Sequence, residues 1–93
     1  MNNGNIDTAI FIITDAFDIT KRGCVVVGEQ QRGVFRMGDK VIISRDGYTV
    51  METEIIGIEL FTHHTHSPSL LLRGITKNEI LKNDCVIGVA NVR

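Results

Sequence analysis

Residues 9–28 read AIFIITDAFDITKRGCVVVG, and this stretch decides the fold class. β-branched and aromatic residues dominate positions 9–17, with a polar break at Thr14 and Asp15. The KRG sequence at 21–23 predicts a turn, because glycine accepts positive φ without steric cost. Residues 24–28 predict a second strand that is too apolar on both faces to lie at an open sheet edge. The stretch therefore predicts two strands joined by a turn.

Further strands are predicted at 40–44, 48–61, 69–73 and 85–92. Asp46-Gly47 is a strong hairpin signal, and Gly57 indicates a bulge or bend within its strand. Gly33 and Gly38 mark turns. Thr76 and Glu79 fit a capping box that opens one helical turn over 76–81. Six or seven short strands at this spacing predict an all-β barrel or sandwich.

The composition fits one small globular domain. The chain has 93 residues, of which 43% are hydrophobic and 23% are charged. Its net charge is −1, so it lacks the surplus of basic residues that a generic nucleic-acid binder carries. We expect a flexible segment at 1–8 and a single domain at 9–93. Residues 1–8 do not resemble a signal peptide, and no apolar run is long enough for a membrane span. The prediction is a cytoplasmic protein with no membrane partner. Cys24 and Cys85 are interpreted as structural thiols, with a disulfide or a reactive thiol as the alternative.

Tests for catalytic and ligand motifs favour a non-enzyme without a cofactor. Residues 33–40, GVFRMGDK, miss the phosphate-binding GxxxxGK[ST] pattern in spacing and precede a strand instead of a helix. No nucleophile elbow is present. His63, His64 and His66 share one short polar loop, which we interpret as solvated, with weak metal binding as the alternative.

Four segments, in order, resemble domain 2 of elongation factor Tu. Residues 15–28 are similar to the family pattern D-V-F-x-I-x-G-R-G-T-V-x-x-G, and QRG with MGDKV at 31–41 is similar to E-R-G and V-G-D/E-x-V. GIELF at 57–61 and LLLRGI at 70–75 match G-[IV]-E-M-F and L-L-L-R-G-[IV]. The resemblance spans about residues 11–90 and implies a closed antiparallel β-barrel of six to seven strands.

The GTPase domain of that family has no counterpart in this sequence. The chain contains no NKxD-type guanine motif, so we expect no GTP binding by this chain alone. Because Met1 lies shortly before the matching segments, we expect a stand-alone barrel rather than a fragment.

The resemblance also implies a site for the 3′ end of tRNA. Its apolar lining would be Ile19, Val25 and Leu71, and Glu59 would contact the terminal adenosine. Asp15 would border the amino-acid space, and Lys82 would lie near the 5′ phosphate. The alternatives are core packing for the three apolar residues, an exposed strand face for Glu59 and an ordinary surface position for Lys82.

The chain differs from the family at the rim of the amino-acid pocket. The segment between Phe61 and Leu70 is shorter, and Lys21 replaces the first glycine of the G-R-G turn. Two functions follow as expectations. The first is a non-catalytic module that binds a protein partner or a second copy of itself. The alternative is an RNA-binding module that contacts a tRNA 3′ end or ribosomal RNA.

Overall fold

The computed structural model describes residues 8–59 and 67–89. Within these ranges the only helix is a single 3₁₀ turn, Lys77–Glu79, and no helix is long and apolar enough to cross a membrane. Nearly all of the predicted N-terminal segment lies outside the described residues. The remaining regular structure consists of six strands: β1 (Ile10–Ile19), β2 (Gly23–Arg32), β3 (Lys40–Arg45), β4 (Tyr48–Glu59), β5 (Ser69–Arg73) and β6 (Cys85–Gly88).

All strand pairings are antiparallel, which confirms the all-β prediction. The strands follow the order β1-β2-β5-β4-β3-β6, and β6 pairs with β1 to close a six-membered ring. Each of these six strands thus has a hydrogen-bonded neighbour on both sides. The pairing of β1 with β6 covers Ile10–Ile12, and that of β2 with β5 covers Gly23–Val26.

Turn and bulge residues lie where the sequence predicts them. Asp46 and Gly47 have φ values of 53° and 86° and join Arg45 directly to Tyr48, as in a two-residue hairpin. The register of β4 against β5 shifts between Ile55 and Gly57, which confirms the predicted bulge. A second shift in β1 falls at the polar break around Thr14.

Three elements end at different residues from those predicted by the sequence. β2 continues past Gly28 to Arg32, because its polar residues 29–32 pair with the start of β1. The helical turn ends at Glu79, since Ile80 adopts an extended backbone and is buried. The final strand ends at Gly88 rather than continuing through the described Val89.

The interior of the ring is apolar and receives alternate side chains from every strand. Cys24 is one of these residues, and its burial, followed by the nearby Asp18 carboxylate, raises the pKa of the Cys24 thiol. Cys24 and the half-buried Cys85 are both free thiols. The completely or almost completely buried hydrophobic residues are Phe11, Ile13, Cys24, Val26, Val41, Ile43, Ile55, Leu70, Leu72 and Val86.

Candidate functional site

A row of residues crosses the outer face of four neighbouring strands. Its members are direct cross-strand partners: Phe17 opposes Val25, Val25 opposes Leu71, and Leu71 opposes Gly57. The residues on either side of Val25 and of Leu71 are fully buried. Since successive side chains of a strand point to opposite faces, Val25 and Leu71 point away from the core.

Val25, Leu71 and Gly57 of this row line a shallow depression of about 360 Å³, which we call the apolar pocket. Its volume lies near the lower end of the range for small-molecule sites, about 300–1,000 Å³. Four of its lining residues are those that the elongation factor resemblance assigns to a terminal adenosine. The lining residues are Ile19, Arg22, Val25, Met37, Gly57, Ile58, Glu59, Ser69 and Leu71.

The core-packing alternative for the three apolar residues was wrong. Ile19 is 38% exposed, while Val25 and Leu71 are half-buried on the outer face, and none of the three belongs to the core. The sequence left this open because residues 24–27 are apolar without alternation. Glu59 is exposed and lies opposite Ser69, so its carboxylate borders the pocket in contact with solvent.

Gly57 provides space for the pocket. A Cβ at this position would lie 3.2 Å from Leu71 Cβ and 3.3 Å from Leu71 Cδ2, which is tighter than ordinary van der Waals contact. A larger side chain would therefore displace Leu71 or fill the depression. The predicted bulge at Gly57 thus also determines the shape of the site.

Sequence reasoning missed Arg22 and Met37, which extend the pocket beyond the strands. Arg22 belongs to the predicted turn after β1, but the turn signal carried no information about where its side chain lies. Met37 is 63% exposed and belongs to the loop between β2 and β3. That loop is held against β4 by hydrogen bonds from Gly38 N–H to Ile55 O at 2.8 Å and from Ile55 N–H to Asp39 O at 2.9 Å.

Asp15 and Lys82 lie together in a different depression, of about 290 Å³, which shares no lining residue with the apolar pocket. Lys77 also borders it. One Asp15 carboxylate oxygen accepts a hydrogen bond from the Ala16 N–H at 2.8 Å. The structure therefore brings together four of the six predicted site residues and separates the other two as a pair.

The three predicted metal-ligand candidates, His63, His64 and His66, lie outside the described residues, as does most of the segment that is shorter than in the family. Among residues 8–59 and 67–89, no group of three or more His, Cys, Asp or Glu side chains is arranged to hold a metal ion. A comparison of the sequence with models of known protein families finds no match.

Proposed function

We propose that this chain is a non-catalytic β-barrel module of the translation-factor domain 2 type, and that it binds the 3′-terminal nucleoside of an RNA in the apolar pocket. The observation that carries the proposal is the convergence of Ile19, Val25, Leu71 and Glu59 on one outer-face depression. These residues come from four separate strands, and none of them belongs to the buried core.

The chemistry of the pocket suits a nucleoside. Its apolar lining can pack against the face of a base, and an exposed carboxylate can accept hydrogen bonds from the exocyclic amine or from ribose hydroxyls. Single-stranded ends are the part of RNA whose bases are free to make such contacts. Because the proposed contacts are few, we expect weak binding by the isolated module. The free thiols Cys24 and Cys85 fit a reducing compartment such as the cytoplasm.

A protein partner or a second copy of the chain is the other candidate function. The observation that favours it is the exposure of large apolar side chains beside the pocket, where Phe17 is 50% exposed and Met37 is 63% exposed. Contiguous apolar surface of this kind is typical of protein interaction sites.

Titration with a labelled single-stranded RNA ending in CCA, at low salt, tests the proposed RNA binding. We expect Glu59→Gln to weaken binding roughly tenfold, since a hydrogen bond to a charged group contributes about 1.5–3 kcal/mol. Glu52→Gln is the matched control, because Glu52 is also an exposed carboxylate on β4 but does not line the pocket. An RNA that carries a 3′ phosphate in place of the hydroxyl should bind less well.

Absence of binding by the unmodified chain at low salt would refute the RNA proposal. Light scattering over a range of protein concentrations then tests self-association. A concentration-dependent dimer that Phe17→Asp abolishes would support the second candidate.

A further inference from the structure

A second depression adjoins the apolar pocket at the turn where β1 ends and β2 begins. It has a volume of about 590 Å³ and is formed by residues 18–23 and 73–76. We call it the basic groove, because Lys21, Arg22 and Arg73 all line it. Ile19 and Arg22 line both depressions, so the two form one continuous surface.

The basic groove carries excess positive charge. Lys21 and Arg22 form no ion pair with any residue that the structure describes, whereas Arg73 is paired with Glu54 at 3.2 Å. Asp18 is the only acidic residue among the groove's described lining residues. One of its carboxylate oxygens accepts a 2.6 Å hydrogen bond from the Lys77 N–H. Two unpaired cations therefore lie beside an apolar pocket that has a carboxylate at its other side.

The backbone of the turn that carries Lys21 and Arg22 is fixed by its neighbours. The Arg22 N–H donates to Ile19 O at 3.0 Å and closes a tight turn. Gly23 lies so close to β5 that a Cβ there would be 2.0 Å from Leu72 O, and it pairs with Arg73. The turn is therefore fixed against the strand that supplies the third cation.

Lys21 occupies a position that would suit glycine better. Its φ is 64°, in the left-handed region that costs an L-residue about 1–2 kcal/mol. Packing does not account for a lysine there, because the side chain is exposed. Lys21 therefore adds a positive charge to the groove at a position where the backbone favours glycine.

We propose that the basic groove binds the phosphates that precede the terminal nucleoside, so that an RNA strand crosses the turn at 20–23 and ends with its 3′ nucleoside in the apolar pocket. The inference rests on the proposed function and adds the path and direction of the strand. The phosphates contact Lys21, Arg22 and Arg73. The terminal base packs against Val25 and Leu71, and the strand ends at Glu59. The ligand is then a single-stranded 3′ end, not a free nucleoside.

The test is the salt dependence of binding to the CCA-ended RNA. For single-stranded nucleic acid, the slope of log K against log salt is about −0.7 for each phosphate that a cation neutralises. We expect Lys21→Gln and Arg22→Gln each to reduce the magnitude of the slope by about 0.7, and the double variant by about twice that. Lys40→Gln, which removes an exposed cation on β3, should leave the slope unchanged.

A glycine variant separates binding from folding. Lys21→Gly suits the left-handed backbone, so it should be at least as stable to heat as the unmodified chain and still show the same reduction in the salt slope as Lys21→Gln. Adenosine without a phosphate should bind independently of salt and with equal affinity to the unmodified chain and Lys21→Gln.

Unchanged slopes in Lys21→Gln and Arg22→Gln, together with weaker binding by Glu59→Gln, would overturn the strand path and leave the proposed function standing. If the unmodified chain does not bind the RNA at all, both the strand path and the proposed function are refuted. Binding of an acidic peptide in preference to the RNA, with the same dependence on Lys21 and Arg22, would show a protein ligand and overturn the inference.

Discussion

Replacing Asp84 by asparagine should destabilise the ring at the place where it closes. Asp84 is 1% exposed, and its carboxylate accepts hydrogen bonds from Arg45 Nε at 2.9 Å, Arg45 Nη2 at 2.8 Å and the Leu81 N–H at 2.9 Å. Arg45 is the last residue of β3, and Asp84 directly precedes β6. The backbone of Asp84 also joins β1, because its carbonyl accepts a 2.9 Å hydrogen bond from the Ile13 N–H.

The magnitude follows from the bonds that asparagine cannot make. The amide oxygen can still accept the Leu81 N–H and Arg45 Nη2–H, which share one carboxylate oxygen, but the amide NH₂ group would then face the Arg45 Nε–H. The hydrogen bond from Arg45 Nε is then lost, and the one from Arg45 Nη2 loses the negative charge of its acceptor. The Arg45 side chain is partly exposed, so water can replace some of the contact. We therefore expect Asp84→Asn to lower the free energy of unfolding by about 2 kcal/mol. In a domain of this size that corresponds to a fall in Tm of about 10 °C.

Urea denaturation at several pH values is the assay. Burial alone would raise the pKa of Asp84, but the hydrogen bonds from Arg45 and the Leu81 N–H, with the charge of Arg45, hold it below its ordinary value. A carboxyl with a depressed folded pKa stabilises the fold fully above its unfolded pKa, about 3.9, and loses this contribution as pH falls through the folded value. The difference in free energy of unfolding between the unmodified chain and Asp84→Asn should therefore be constant from pH 7 to pH 5 and shrink below about pH 4.

Asp46→Asn is the control, because Asp46 is an exposed turn residue at φ 53°, where asparagine is well tolerated. Its stability should change by less than about 0.5 kcal/mol. Equal stability of Asp84→Asn and the unmodified chain at pH 7, or a difference that persists unchanged to pH 2, would refute the reasoning.

Four other substitutions test the arrangement of the strands, each by urea denaturation. Leu72→Ala should lower the free energy of unfolding by about 2–5 kcal/mol because Leu72 is fully buried. The neighbouring Leu71→Ala should lower it by under about 1.5 kcal/mol and weaken RNA binding. Equal losses would mean that the Leu71 side chain lies in the core. Gly23→Ala should cost about 3 kcal/mol or more, since its Cβ would lie 2.0 Å from Leu72 O, and a neutral result would contradict the close contact of β2 with β5. Lys21→Gly should stabilise the fold by about 1 kcal/mol or less, and a clear loss would show that Lys21 makes a stabilising contact.

The strand turns could be predicted from the sequence because their chemistry is local. Asp46 and Gly47 form the hairpin turn that an Asp-Gly pair favours, and Gly57 lies at the bulge. Glycine at 33 and 38 has positive φ in the structure, as turn positions require. Such signals depend on a few neighbouring residues, so they need no knowledge of the rest of the fold.

The sequence by itself determined the class of fold, the positions of most strands and the four residues that resemblance assigns to one pocket. Only the tertiary structure decided which strands are neighbours and which face each side chain occupies. The run at 24–27 is apolar throughout, so no alternation distinguishes the inward Val26 from the outward Val25. That choice depends on the register of β2 against β1 and β5, which is set by residues distant in sequence. The meeting of the apolar pocket with Lys21 and Arg22 arises in the same way, from the contact of one turn with a strand about fifty residues further along the chain.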